Sequence, residues 1–261
     1  MNWGNLPRLL GVAIVLVVFQ PIHADGGNND ACNLADYLLN HQSEIHQRNA
    51  YSVDGSFQDY REQFGVRFVN LTNSLRAPHS WLDVGGGMAL PMLQNQSDLL
   101  KKLSPEELPT NISLSIETPP LKAEAQTLRN SLPKSAVQYV ARGKGLEDFS
   151  VDELEALGLQ TLITDRGGGT TYTLRPKDLY QRYHQLLKPK GLLMVSVPPR
   201  TKINSGAKTF LAWLRSIKGF KLLAEEPGSY ILQRTDEAFD APELTIKSLI
   251  PGSPPTREFV W

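Results

Sequence analysis

The stretch SWLDVGGGMALPML, residues 80–93, combines residue types that suit a ligand-binding turn. A short apolar run contains Asp83 and is followed at once by Gly85, Gly86 and Gly87. Because glycine has no Cβ, such a loop adopts positive φ angles and lets a ligand approach its backbone closely. The stretch therefore predicts a binding site for a phosphate or a nucleoside, or else a tight turn that binds nothing.

The spacing of the glycines separates the first two possibilities. In the dinucleotide fingerprint G-x-G-x-x-G, Gly85 and Gly87 fill the first two positions, but Leu90 stands at the third. Pyrophosphate binding at the start of the next helix is therefore disfavoured, and a nicotinamide-dependent oxidoreductase is the weakest of the functions considered. A nucleoside without phosphate groups fits the spacing better.

The elements around this loop predict the fold class. From residue 80 onward, short apolar runs alternate with amphipathic segments, which indicates parallel strands joined by crossover helices in a doubly wound α/β sheet. In such a sheet, ligands bind beyond the carboxyl ends of the strands, where the glycine loop lies. The predicted strands are Trp81–Val84, Ile112–Ile116, Ala136–Val140, Thr161–Thr164 and Leu192–Val197. Helices are predicted at 34–45 and 60–75, from about Leu90, and within 119–132, 175–187 and 207–217, with a closing strand pair within 219–234.

The pattern D-V-G-x-G-x-A, from Asp83 to Ala89, resembles the first motif of class I S-adenosylmethionine-dependent methyltransferases. That family usually has G-x-G-x-G, so Ala89 replaces the third glycine. The order of the later segments is also similar, and it includes an LLKPKG hairpin before the fifth strand in which Lys190 replaces a glycine. The resemblance covers residues 60–235 and implies a mostly parallel, Rossmann-like methyltransferase fold with S-adenosyl-L-methionine as cofactor.

The resemblance also implies contacts for the cofactor. Asp83 is expected to reach the methionine amine, although from its residue type alone it is equally suited to capping the next helix. Glu117, at the end of the second strand, is expected to accept hydrogen bonds from both ribose hydroxyls. Glu147 or Asp148 would accept from the adenine amine, with Leu146 and Phe149 covering the ring.

Two further positions border the expected acceptor site. Asp165 ends a buried strand before the Gly167–Gly169 loop, where an unpaired charge is costly, so a functional partner is expected. It is a predicted cofactor contact and the single candidate for a catalytic base. Tyr172 either lines the acceptor pocket or packs in the core. No metal site is predicted, since His41 and His46 do not share a helical face.

The N-terminus has the layout of a secretory signal. Arg8 precedes an apolar run from Leu9 to Phe19, and Ala24 provides a small residue for cleavage. We expect 1–24 to be a signal peptide that exports the chain to the periplasm or the secretory pathway; an uncleaved membrane anchor over residues 9–24 is the alternative. A lead-in with one helix (25–59) and a Pro-rich tail (236–261) flank the main domain.

Composition limits the partners. Lys and Arg total 27 and Asp and Glu total 27, so the net charge is zero and a nucleic-acid partner is not expected. The methyl acceptor is expected to be a small molecule or a protein, and the membrane is contacted only through the signal segment. Because the cofactor is made in the cytosol, export leaves three possibilities: the domain is retained inside, it meets the cofactor in another compartment, or it is a catalytically degenerate binding module, which is the second hypothesis.

Overall fold

The computed structural model describes residues 55–116, 121–173, 175–196, 206–226, 228–246 and 259–260. The predicted signal segment 1–24, the predicted helix at 34–45 and Glu117 lie outside these residues. The described helices are α1 (Phe57–Ser74), α2 (Leu90–Leu100), α3 (Ala123–Ser131), α4 (Val151–Leu157), α5 (Gly169–Tyr172), α6 (Pro176–Leu186) and α7 (Gly206–Ser216). The strands are β1 (Ser80–Val84), β2 (Thr110–Ser115), β3 (Val137–Ala141), β4 (Gln160–Arg166), β5 (Leu187–Ser196), β6 (Phe220–Glu226), β7 (Ser229–Arg234), β8 (Thr245–Ile246) and β9 (Phe259–Val260).

Seven strands form one mixed sheet in the order β3-β2-β1-β4-β5-β7-β6. The strands from β3 to β5 in this order pair in parallel, whereas β7 runs antiparallel to both β5 and β6. The first strand, β1, therefore lies in the middle of the sheet. The next two strands extend the sheet to the edge strand β3, and β4 to β7 form the other half on the opposite side of β1. This order confirms the predicted doubly wound, Rossmann-like methyltransferase fold.

Alternate residues of the central strands supply two separate cores, one on each face of the sheet. Trp81, Leu162 and Met194 pack beneath α1, α2 and α3. Their neighbours in sequence, Leu82, Ile163 and Val195, pack beneath α4, α6 and α7. Because both faces are covered, neighbouring apolar residues such as Trp81–Leu82, Leu162–Ile163 and Leu193–Val195 mark the central strands, which is why the sequence located them.

Serine capping boxes start two of the helices. Ser56 and Asp59 exchange hydrogen bonds at the start of α1, which begins three residues before the predicted helix and is kinked at Gly65, where φ is +72°. Ser150 and Glu153 form the same motif at the start of α4, which was not predicted. The S-x-x-E spacing was the signal that marks this helix in the sequence.

The LLKPKG segment, residues 186–191, is not a separate hairpin before the strand: it covers the last residue of α6 and the first five of β5, which begins at Leu187 and has an irregular register with β4 between Gln160 and Leu162. Lys190 has φ of +65°, a backbone conformation that glycine adopts without strain and that other residues rarely adopt. None of the helices formed by the described residues combines the length and apolar character needed to cross a bilayer.

Candidate active site

Two glycine-rich turns lie side by side at the carboxyl edge of the sheet. β1 and β4 are parallel neighbours, so Gly85–Gly87, which follow β1, meet Gly167–Gly169, which follow β4. The strand order reverses between these two strands, and ligands of open α/β sheets bind at this reversal. The fold therefore places the predicted glycine loop where the sheet offers a ligand site.

The two turns touch through their main chains. A Cβ added at Gly85 would lie 2.6 Å from the Cα of Gly168, and one added at Gly168 would overlap the carbonyl oxygen of Val84. Gly85 also has φ of +78°, yet it is exposed to solvent, and Gly87 is partly exposed. Glycine is required for this contact, and the contact leaves bare main chain facing outward.

Asp83 lies directly beneath this loop and is fully buried. Its Oδ2 accepts a hydrogen bond from the Tyr60 hydroxyl at 2.8 Å, and its Oδ1 accepts from the Thr164 hydroxyl at 2.6 Å. A Cβ at Gly86 would fall 2.6 Å from the same carboxylate. Burial raises the pKa of Asp83 to about 7, and the two hydrogen bonds oppose this rise in part.

The structure excludes one of the two roles predicted for Asp83. The N-cap of α2 is Ala89, in the left-handed conformation, and no side chain caps the helix there. The helix-cap interpretation of Asp83 is therefore wrong. The contact with a methionine amine stays a prediction; in the structure the Tyr60 hydroxyl is the donor at that carboxylate.

Asp165 fixes the second glycine turn. Its Oδ1 accepts from the backbone N–H of Gly168 at 3.0 Å, and its Oδ2 accepts from the N–H of Thr170 and the Tyr183 hydroxyl, both at 2.6 Å. The side chain is fully buried, and burial raises the pKa of the carboxyl above its ordinary value. The donors to the Asp165 carboxylate therefore come from this chain, from Gly168, Thr170 and Tyr183. A role as base or cofactor contact stays a prediction that requires the turn to open.

Glu147 and Asp148 connect the turn after β3 to the segment after α5. Glu147 accepts a hydrogen bond from the Thr173 hydroxyl at 2.7 Å, and burial raises its pKa. Asp148 pairs with the Arg175 guanidinium. Leu146 and Phe149, expected to cover an adenine ring, are instead buried in the core beneath α6. Of the two acids, Glu147 is the one that forms no ion pair with a described cation.

Two more predicted site residues are Tyr172 and Glu117. Tyr172 ends the short helix α5, between the second glycine turn and α6, and Glu117 directly follows the described part of the β2 segment. The structure brings Asp83, the glycine loop and Asp165 together at one edge. Within the described ranges, His, Cys, Asp and Glu side chains form no group of three or more that suits a metal ion.

Sequence reasoning missed two residues of this site. Tyr60 was expected to be a core residue of its helix, yet its hydroxyl reaches Asp83. Arg166, which follows Asp165 on β4, was not singled out. Its guanidinium lies 5.4 Å from the centre of the Tyr60 ring. A cation directly after a strand-ending acid, at the edge where ligands bind, was the available signal.

No family model matches the chain, and no curated protein matches it. Among solved structures it is similar to a candidate rRNA methylase from Clostridium thermocellum, with a TM-score of 0.47, 10% identity, and coverage of 67% of this chain and 97% of that one. An rRNA methylase from Streptococcus thermophilus has a TM-score of 0.43 at 9% identity, with coverage of 67% and 97%. A methyltransferase from Geobacter sulfurreducens has a TM-score of 0.41 at 12% identity, with coverage of 77% and 88%. The fold assignment above rests on the strand order and pairing of the sheet.

Proposed function

We propose that the chain binds S-adenosylmethionine at the carboxyl edge of β1 and β4 and transfers its methyl group to an acceptor. The observation that carries this proposal is the contact between Gly85 and Gly168, which keeps exposed main chain at the strand reversal. Bare backbone at that place suits a nucleoside without phosphate groups that approaches closely.

The backbone donors of the site argue against a phosphate ligand. The N–H of Gly85 is bonded to the carbonyl of Leu114, and that of Ala89 to the carbonyl of Gly86. In the second turn, Gly168 and Thr170 donate to Asp165. Phosphate-binding loops leave such N–H groups pointing at the anion. A nucleoside needs fewer of these donors.

The acids are assigned to the cofactor by their places around the loop. Glu117, which follows β2 by two residues in sequence and lies outside the described residues, is proposed to accept from the ribose hydroxyls, as ionised carboxylates have acceptor capacity for both. Glu147 is proposed to accept from the adenine amine, because Asp148 is already paired with Arg175. Thr173 donates to the Oε1 of Glu147, and an ionised carboxylate has acceptor capacity for a further donor.

Bound cofactor would supply an activated methyl group, so the chain has to position this methyl group against the acceptor and does not have to activate it. Holding two reactants in line contributes on the order of 7–11 kcal/mol to lowering a barrier. Asp165 contributes by fixing the turn from Gly168 to Thr170 against β1. Tyr172, at the end of α5, is proposed to face the acceptor, which is a small molecule or a protein.

A second candidate function is that of an exported binding module without catalysis. It is supported by the carboxylates themselves, because Asp83, Asp165 and Glu147 all accept hydrogen bonds from side chains of this chain. The signal segment 1–24, or an anchor over residues 9–24, would carry the domain away from the cytosol, where the cofactor is made. Binding without turnover needs no cofactor supply.

Thermal unfolding with and without S-adenosylhomocysteine tests the proposal. A ligand at 100 times its Kd stabilises the folded state by about 2.7 kcal/mol, which raises Tm measurably. We expect this rise for the wild type and for Glu124→Ala, an exposed control acid on α3, but not for Glu117→Ala. No rise in the wild type would contradict cofactor binding and favour the second function.

A further inference from the structure

Arg166 is a cation at the reversal point of the sheet that forms no ion pair with a carboxylate of the described residues, although its charge acts on the carboxylates of Asp59 and Asp83. It ends β4 beside β1, one residue after Asp165, on the strand face that also carries Thr164 and its hydrogen bond to Asp83. The guanidinium stacks over the Tyr60 ring at 5.4 Å, and a Cβ at Gly55 would lie 2.5 Å from its Nη1. The ring and the backbone of residue 55 therefore hold the group in one place.

The hydrogen-bonding capacity of this guanidinium is not satisfied by the described part of the chain. Its Nε is buried and has no acceptor, and none of the described carboxylates forms an ion pair with it. By contrast, Arg175, which is more exposed, pairs with both Asp148 and Asp178. A buried donor without an acceptor costs about 1–3 kcal/mol, so an arginine whose hydrogen-bonding needs the described residues do not meet is a candidate anion-binding group.

The surroundings favour a carboxylate over a phosphate as that anion. Guanidinium binds carboxylate through two parallel hydrogen bonds, and a single arginine suffices for one negative charge. A phosphate carries more charge, would lie near the buried Asp83, and would find the N–H groups of Gly168 and Thr170 already bonded. A single guanidinium close to the acid Asp83 therefore suits an anion with one negative charge better than one with two.

We propose that Arg166 binds the carboxylate of a reactant at this edge of the sheet. The proposal rests on the proposed function, and it names a recognition residue that the sequence motifs do not include. Two reactants can supply the carboxylate: the methionine part of the cofactor, or an acceptor that is itself a carboxylic acid. Arg166 is a binding residue in both cases, and the two sources give different results in one set of titrations.

The test follows the Arg166 Nε–H resonance in ¹⁵N-labelled protein, assigned by its loss in Arg166→Lys. Three probes are titrated: S-adenosylhomocysteine, 5′-methylthioadenosine, which lacks the amino acid, and benzoate in the presence of saturating S-adenosylhomocysteine. Affinities are measured in parallel for Arg166→Gln and for the control Arg182→Gln, a partly exposed residue of α6 that contacts Gln185.

A cofactor carboxylate predicts that S-adenosylhomocysteine shifts the resonance and that Arg166→Gln weakens its binding at least tenfold, with 5′-methylthioadenosine changed less than twofold. An acceptor carboxylate predicts unchanged S-adenosylhomocysteine binding and a saturable shift with benzoate that Arg166→Gln abolishes. If neither probe moves the resonance while the wild type binds S-adenosylhomocysteine, the inference is overturned and the proposed function stands.

Two more outcomes are decisive. If the wild type binds neither nucleoside, the proposed function fails, and benzoate titrated alone then decides the inference about Arg166. Asp54 directly precedes Gly55 in sequence and lies outside the described residues. If Asp54→Asn shifts the Arg166 resonance without any ligand, the carboxylate partner belongs to this chain, and the inference is overturned. Arg182→Gln is expected to behave as the wild type in every titration.

Discussion

The hydroxyl of Tyr60 donates a hydrogen bond to the buried carboxylate of Asp83 at 2.8 Å. This contact joins the first turns of α1 to the end of β1, directly beneath Gly86. The same tyrosine ring carries the guanidinium of Arg166 on its face. A helix that precedes the sheet in sequence is therefore part of the candidate site, and the burial of Asp83, which raises its pKa to about 7, makes the site sensitive to pH.

Tyr60→Phe is expected to destabilise the protein through this contact. At pH 8 the carboxylate is largely ionised, and a hydrogen bond to a charged group contributes about 1.5–3 kcal/mol. The matched control is Tyr139→Phe, which removes a donor from the neutral carbonyl of Met88 and is expected to cost about 1 kcal/mol. Urea unfolding at pH 8 measures both; a smaller loss for Tyr60→Phe than for Tyr139→Phe would contradict the contact.

Asp83→Asn is expected to reduce the pH dependence of stability. The folded pKa of Asp83 is raised to about 7 from 3.8, so between these values the folded state binds more protons than the unfolded chain. The free energy of unfolding therefore falls as pH rises from about 4 to about 7, by up to about 1.4 kcal/mol per pH unit from this group, and levels off above.

The slope is measured by urea unfolding at a series of pH values. Asp83→Asn should show a shallower fall than the wild type, and part of the fall should remain because the pKa of Asp165 is also raised by burial. Asp98→Asn, an exposed change on α2, should leave the slope as it is. An Asp83→Asn slope equal to that of the wild type would show that Asp83 is not held in this environment.

Gly85→Ala is expected to disrupt the site more than a glycine substitution with similar backbone strain. Gly158 has φ of +69° and open space around its Cβ position, so Gly158→Ala should cost about 1–3 kcal/mol from strain alone. Gly85→Ala adds an overlap with the main chain of Gly168. Urea unfolding should show the larger loss for Gly85→Ala, and calorimetry should show lost nucleoside binding only there. Equal stability and wild-type binding would refute the packing of the two turns.

Glu147→Ala is expected to weaken recognition of the adenine amine. S-Adenosylhomocysteine should bind at least tenfold more weakly to this variant, whereas S-inosylhomocysteine, which lacks the amine, should change little. Asp148→Ala serves as the neighbouring control, because its carboxylate is paired with Arg175 and the pair is partly exposed. If Asp148→Ala shows the selective loss and Glu147→Ala does not, the assignment of the two acids is reversed.

Sequence patterns located the sheet because its signal is local. Residues such as Leu82 and Ile163 lie on strands buried on both faces, and continuous apolar runs mark such strands. Helix α4 was not predicted because it is too short to show a clear apolar period, although Ser150 and Glu153 mark its start. Lys190 shows a limit of reading motifs from residue types. It has the positive φ typical of glycine, so the backbone conformation is present although the glycine of the motif is not.

Contacts between distant residues explain what was not predicted in the site. Tyr60 meets Asp83 across 23 residues, and Tyr183 meets Asp165 across 18. Periodicity places both tyrosines on buried helix faces but does not say that their hydroxyls reach a carboxylate. Arg166 likewise could not be singled out from the sequence, because its importance depends on the finding that its Nε has no acceptor and that it forms no ion pair among the described residues.

Isothermal titration calorimetry of the purified protein with S-adenosylhomocysteine tests the central claim most directly. The account predicts saturable one-to-one binding that Gly85→Ala abolishes and Gly158→Ala leaves within a few-fold of the wild type. An absence of binding heat in the wild type at several temperatures, or equal binding by Gly85→Ala, would contradict a nucleoside site built on the two touching glycine turns.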